Sequence, residues 1–192
     1  MSYNLRPKEL SEPIELLEEM KKNPLALELL HTLNEQKINE GKQPIKVTIW
    51  SGLDYDGRCF PKRGEIHVNN KLKYWDKLLT LIFELCNVAQ FISSNLYLAD
   101  RRYPIQRENY IRAIEKNEYL SGKRTLKIYS YGVENLGWDP KHLKKNTKFF
   151  QQPFEQYYQK LHTYDEGKMH CEHYGSIWDN FYNEHIDTFN DS

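Results

Sequence analysis

Long apolar runs are missing from this chain: no stretch approaches the ~20 apolar residues that cross a bilayer, so no membrane span is expected. The opening segment MSYNLRPKELSEPIELLEEM also lacks the apolar stretch of an export signal. Cysteine is scarce. Cys59, Cys86 and Cys171 are odd in number and widely spaced, and Cys86 sits inside an apolar run. A disulfide framework is therefore not expected, and a reducing location is: the cytoplasm, or a reducing compartment reached without an N-terminal signal peptide. Neither sign of charge is in excess, with Lys+Arg and Asp+Glu both 27. The basic face that releases counterions from nucleic-acid phosphates has no bulk signal. Lys141, Lys144, Lys145 and Lys148 form one local cluster, read as a solvated helix face or a small basic patch. Internal repeats, low-complexity tracts, phosphate-cradling glycine loops and the G-x-S-x-G elbow are all absent, which removes solenoids, flexible linkers and two familiar catalytic signatures.

What is present fits one globular domain over residues 1–192, a usual size for a single core. Ser11 and Pro13 mark a helix start with proline in the first turn, followed by Ile14, Leu17 and Met20 at helical spacing. Asn23-Pro24 restarts a second helix over Leu25 to about Lys37, with Gly41 as its stop. Ile45, Val47 and Ile49 alternate with polar residues, as do Ile66 and Val68, so strands are expected near 45–50 and 65–69. The turn-rich stretch SGLDYDGRCFPKRG between them reads as a loop.

The strongest helical signal runs over about 74–97, apolar on most sides, and predicts a central buried helix. A further helix is expected from about Pro104 to Tyr119, stopped at Ser121-Gly122, and Leu126 and Ile128 suggest a third strand near 125–130. The last third holds two aromatic-rich helical runs. The expected class is α+β, a small sheet packed against several helices.

One five-residue stretch carries most of the functional information. An extended segment, GEIHVN, leads through a short connector into the apolar helix, which bears a lone glutamate in Phe83-Glu84-Leu85-Cys86-Asn87. Over residues 44–120 this order resembles the zincin type of zinc metallopeptidase, whose helix carries H-E-x-x-H, with two histidines on zinc and a glutamate that activates water. The resemblance implies a degenerate scaffold: the glutamate is kept as Glu84, while Phe83 and Asn87 stand where imidazoles would bind. The following helix offers Glu108, Glu115 and Glu118 where some zincins place an acidic ligand. Glu84 is then either a buried carboxylate satisfied by neighbours, or a reassigned acid or base in a pocket.

Other side chains compete for a role. His170, Cys171, His173 and His185 put nitrogen and sulfur donors close in sequence, a conceivable zinc site whose spacing matches no standard module. Cys59 or Cys171 paired with a histidine is a further enzymatic possibility. The aromatic residues of the last third, Trp178 and Phe181 among them, serve either a core or a partner surface. The expectation is a pseudoenzyme: a non-catalytic protein-binding domain on the degenerate scaffold, of bacterial effector, toxin-associated or immunity type, with no obligatory cofactor and a protein partner. The alternatives are a metal-dependent hydrolase using Glu84 with donors such as His67, or a Cys/His enzyme.

Overall fold

The computed structural model describes residues 7–39, 44–61, 63–94, 106–143 and 150–190, with side chains described outside 7–10, 36–39, 92–94 and 185–190. Two helices open the fold, α1 over Pro7–Lys21 and α2 over Pro24–Asn39. Helix α1 begins a turn earlier than Ser11 would place it, with Pro7 at the first helical position and Pro13 inside the helix. That early start suits proline, since the first turn has no use for its missing N–H. Between the helices, Asn23 is fully buried. Its Oδ1 accepts from the backbone N–H of Leu25 at 3.0 Å, capping α2, while its Nδ2 donates to the carbonyl of Ile128 at 2.7 Å.

Three strands follow: β1 (Lys46–Trp50), β2 (Gly57–Phe60) and β3 (Glu65–Asn69). Their order is β1-β3-β2, with β1 parallel and β2 antiparallel to β3. Ile66 and Val68 point into the core at 0% exposure, so His67, between them, lies on the opposite face. Helix α3 (Tyr74–Ser94) packs across β2 and β3, while α1 packs against β1. Helix α3 begins where the periodicity places it; residues 95–97 of the expected span lie outside the described residues, as does Gly41.

Helix α4 runs unbroken over Arg107–Leu136, 30 residues. This overturns both the stop at Ser121-Gly122 and the strand near 125–130. Thr125, Ile128, Tyr129 and Gly132 are buried at helical spacing, and the bare α-carbon of Gly122 receives the ring of Phe150. Packing on that face offsets the roughly 1 kcal/mol that a mid-helix glycine costs. The true stop is Gly137, left-handed at φ 74°. The third strand is instead β2, inside the stretch read as a loop: its composition favours turns, and only the ladder to β3 makes it extended.

Helices α5 (Phe154–Leu161) and α6 (Asp165–Asn190) close the fold. The main core joins Leu16, Met20, Leu29 and Leu33 to Leu78, Leu81, Ile82 and Leu85 of α3, and Trp138 caps it from the end of α4. A second cluster, Ile111, Tyr119, Tyr157, Leu161 and Cys171, sits where α4 meets α5 and α6. The fold class is thus α+β, as the sequence implied. No helix among the described residues is long and apolar enough to cross a membrane.

Candidate functional site

Helical spacing places the site's polar groups in pairs. Glu84 and Asn87 lie one turn apart on α3, Glu115 and Glu118 one turn apart on α4, and His170 and Tyr174 one turn apart on α6. The three helices and strand β2 enclose a cleft of about 850 Å³, lined by Glu84, Asn87 and Glu118, with His170 and Tyr174 from α6 and Gly57 from β2. Gly57 has a steric task there. A Cβ at this position would run into Thr80 and Glu84, so glycine lets β2 lie directly on the carboxylate-bearing face of α3.

Three carboxyl groups are buried together. Glu115 is fully inaccessible, Glu84 is 7% exposed and Glu118 is 8% exposed. Glu118 accepts two hydrogen bonds, from Asn87 Nδ2 at 3.1 Å and from Tyr174 OH at 2.9 Å. Glu115 holds His170, Nδ1 to Oε1 at 2.8 Å, with Tyr157 OH at 3.4 Å from its other oxygen and Cys171 Sγ at 3.7 Å from Oε1. Glu84 is hydrogen-bonded to the Cys59 thiol and to Asn87. Asn87 Oδ1, by contrast, is buried with no hydrogen-bond partner.

Burial makes the ionised forms costly, and the carboxylates repel one another. Desolvation and the charge of Glu118 push Glu84 up to about 8. Desolvation likewise raises Glu118, against the fields of nearby His170 and the hydroxyl of Tyr174. His170 goes up as well: burial pulls it down, but the Glu115 hydrogen bond and the charges of Glu115, Glu118 and Glu84 outweigh that. Both candidate thiols move away from reactivity. Burial and Glu84 hold Cys59 well above its usual range, and burial and Glu115 push Cys171 to about 12. A cysteine nucleophile needs the opposite shift.

The sequence-predicted residues are therefore only partly assembled. Glu84 does line the cleft. His67, offered above as a donor to it, is on the outer face of the sheet, stacked on Trp50 at 5.2 Å between centroids. His170 and Cys171 both turn to Glu115, while His173 packs beside the Tyr174 ring at 5.5 Å. The side chain of His185 lies outside the described residues, as do Lys144, Lys145 and Lys148. Among the described residues no group of three or more His, Cys, Asp and Glu side chains is placed to hold a metal ion.

Donor chemistry agrees at the positions where the zincin pattern would bind zinc. Phe83 has no donor atom, and Asn87 directs its amide nitrogen at Glu118. These residues do not fit a catalytic zinc. Gly57, Tyr174 and Tyr157 were not named from the sequence as site residues, and Asn87 was read only as a lost zinc ligand. For Asn87 the signal existed, since it lies one turn beyond Glu84. For the others there was none, because their partners are brought by distant parts of the chain.

What the geometry defines is an α+β domain with an acid-floored cleft between three helices and a sheet edge. Comparison with protein-family models, with curated proteins and with solved structures finds no match to this chain.

Proposed function

We propose that this is a non-catalytic protein-binding domain on a degenerate zincin-like scaffold, and that its cleft receives a basic side chain of an extended partner segment. The observation that carries this reading is the convergence of acceptors on the cleft: Glu84, Glu118 and the unpartnered Asn87 Oδ1. A lysine ammonium brings three donors and a further positive charge to the Glu84 and Glu118 carboxyls, beyond what His170 supplies. The strand order supports the second half of the proposal. β2 is an edge strand beside the cleft, so a partner segment can add to it through backbone hydrogen bonds while one side chain turns inward. The resemblance in sequence order, with Phe83 and Asn87 in place of imidazoles, supports binding without zinc chemistry.

Titration calorimetry with a blocked extended peptide bearing a central lysine, against its norleucine and glutamate counterparts, tests the reading. The lysine peptide binds best, and its affinity rises with pH towards about 8, because the ammonium binds the ionised form of Glu84 and expels its proton. Glu84→Gln weakens that pH dependence, leaving the part that the raised Glu118 supplies. Equal binding of norleucine and lysine peptides overturns the proposal.

One observation favours a second reading. A carboxyl held protonated to about pH 8 beside another carboxyl is suited to general-acid chemistry, as in a hydrolase built around Glu84. Turnover that Glu84→Gln abolishes while peptide binding survives would select it.

A further inference from the structure

The outer face of the sheet, turned away from α3, adjoins the cleft through Arg58 and Tyr55, which line both, and carries its own aromatic and basic groups. Trp50 at the end of β1 is 44% exposed, and its ring lies parallel to His67 on β3, at 10° and 5.2 Å between centroids. Phe60 on β2 meets His67 at 5.0 Å. Two guanidinium groups lie over these rings: Arg58 at 5.3 Å from the Phe60 centroid and 5.9 Å from that of exposed Tyr55, and Arg63 at 5.6 Å from Phe60. Neither arginine forms an ion pair among the described residues. Lys46 begins β1 on the same face, exposed to solvent. The strands contribute one carboxylate here, Glu65, 4.0 Å from His67. His67 senses this balance: burial, then the fields of Lys46, Arg58 and Arg63, hold it below the ordinary histidine range against the opposing pull of Glu65.

We infer that this face is a binding platform for single-stranded nucleic acid, with bases continuing the Trp50–His67 stack and backbone phosphates paired with Arg58, Arg63 and Lys46. Two features choose this occupant. Open aromatic faces accept planar bases of any identity, and the local charge is complementary to phosphate although the chain as a whole is neutral. An acidic peptide would satisfy the cations but leave the ring stack unused. The register supports the grouping: Arg58 pairs with His67 and Thr48 pairs with His67 from the other side, so one transverse row across the three strands carries the platform's centre.

The test is fluorescence anisotropy with labelled oligothymidylate and oligouridylate on the full chain, titrated at low and at moderate salt. Saturable binding that weakens with salt is expected. Trp50→Ala reduces affinity about five-fold or more, and Trp50→Phe retains most of it, as base stacking requires. The double variant Arg58→Ala with Arg63→Ala lowers the logarithmic salt slope by about 1.4, from about 0.7 per phosphate contact in single strands. Absence of saturable binding at low salt overturns the inference. So does tighter binding of duplex than of single strand, or affinity that neither Trp50→Ala nor the arginine pair alters. Polyglutamate binding that matches the oligonucleotides and ignores Trp50 assigns the face to an acidic peptide instead.

Discussion

The part of the molecule where α1 and α2 pack on α3 and the sheet buries aliphatic side chains, whereas the cleft side, where Glu84 of α3 and the first half of α4 face α5 and α6, buries carboxylates and phenols beside a partly exposed imidazole. In the first, Leu78, Leu81, Ile82 and Leu85 need only shape and exclusion of water. In the second, Glu115 is as inaccessible as any leucine and Glu118 is also buried, and each must find named donors: His170 and Tyr157 for one, Asn87 and Tyr174 for the other. The difference shows that burial alone does not identify a core. A dry core tolerates similar substitutes of equal volume, while a polar one depends on the identity of each partner.

The largest effect is expected on the dry side. Trp138 is 1% exposed and is packed against Tyr129 and the bare Cα of Gly132, with Nε1 donating to Glu19 at 2.8 Å. Trp138→Ala should cost about 3–5 kcal/mol in urea denaturation. On the polar side, pH acts through three groups in the same direction. Glu84 and Glu118 keep their protons in the folded state above the pH at which they ionise when unfolded, so stability falls as pH rises from about 4.5 towards about 8. The raised His170 contributes stability that is present below its unfolded pKa and is lost as pH rises through its folded one. Thermal melts should therefore show maximum stability in mild acid. Glu84→Gln should stabilise the protein above pH 8, by roughly 2–4 kcal/mol, and flatten that decline. A melting profile with no pH dependence between these limits would count against the buried carboxyl pair.

Glu115→Ala sharpens the contrast further. It leaves His170, Tyr157 and Cys171 without their shared acceptor and should cost about 1–3 kcal/mol, the lower part of what a buried pair loses because His170 is partly exposed. NMR titration of His170 should then show its pKa falling. The smallest effect belongs to the surface pair Arg112 and Glu155, both well exposed, with Arg112 also over the Phe154 and Tyr158 rings. Arg112→Ala should change stability by under about 1 kcal/mol in the same denaturation assay.

Which parts were legible follows from this comparison. Periodicity found α1, α2, α3, β1 and β3 because repeating apolar contacts leave a repeat in the chain, and it singled out Glu84 as the polar exception on an apolar helix. It divided α4 wrongly at Ser121-Gly122, where the local preference for a stop is real but Phe150, packed onto Gly122, outweighs it. It missed β2 because four residues set within a turn-rich stretch become a strand only when β3 supplies the ladder.

The sequence by itself determined the class, the central helix and the presence of one glutamate that demanded an explanation, all of which depend on backbone geometry within a few residues. Only the tertiary structure decided what Glu84 faces, that His170 and Cys171 both turn to Glu115, and that His67 belongs to the outer sheet with Trp50. The partners of Glu115 and Glu118 lie 31 to 56 residues away in the chain, Asn87 with Glu118 and Tyr174 with Glu118 at the two ends of that range. Pairing over such separations is selected by the cost of leaving a buried charge without a donor, a term that acts only after the helices have packed and that no local pattern records.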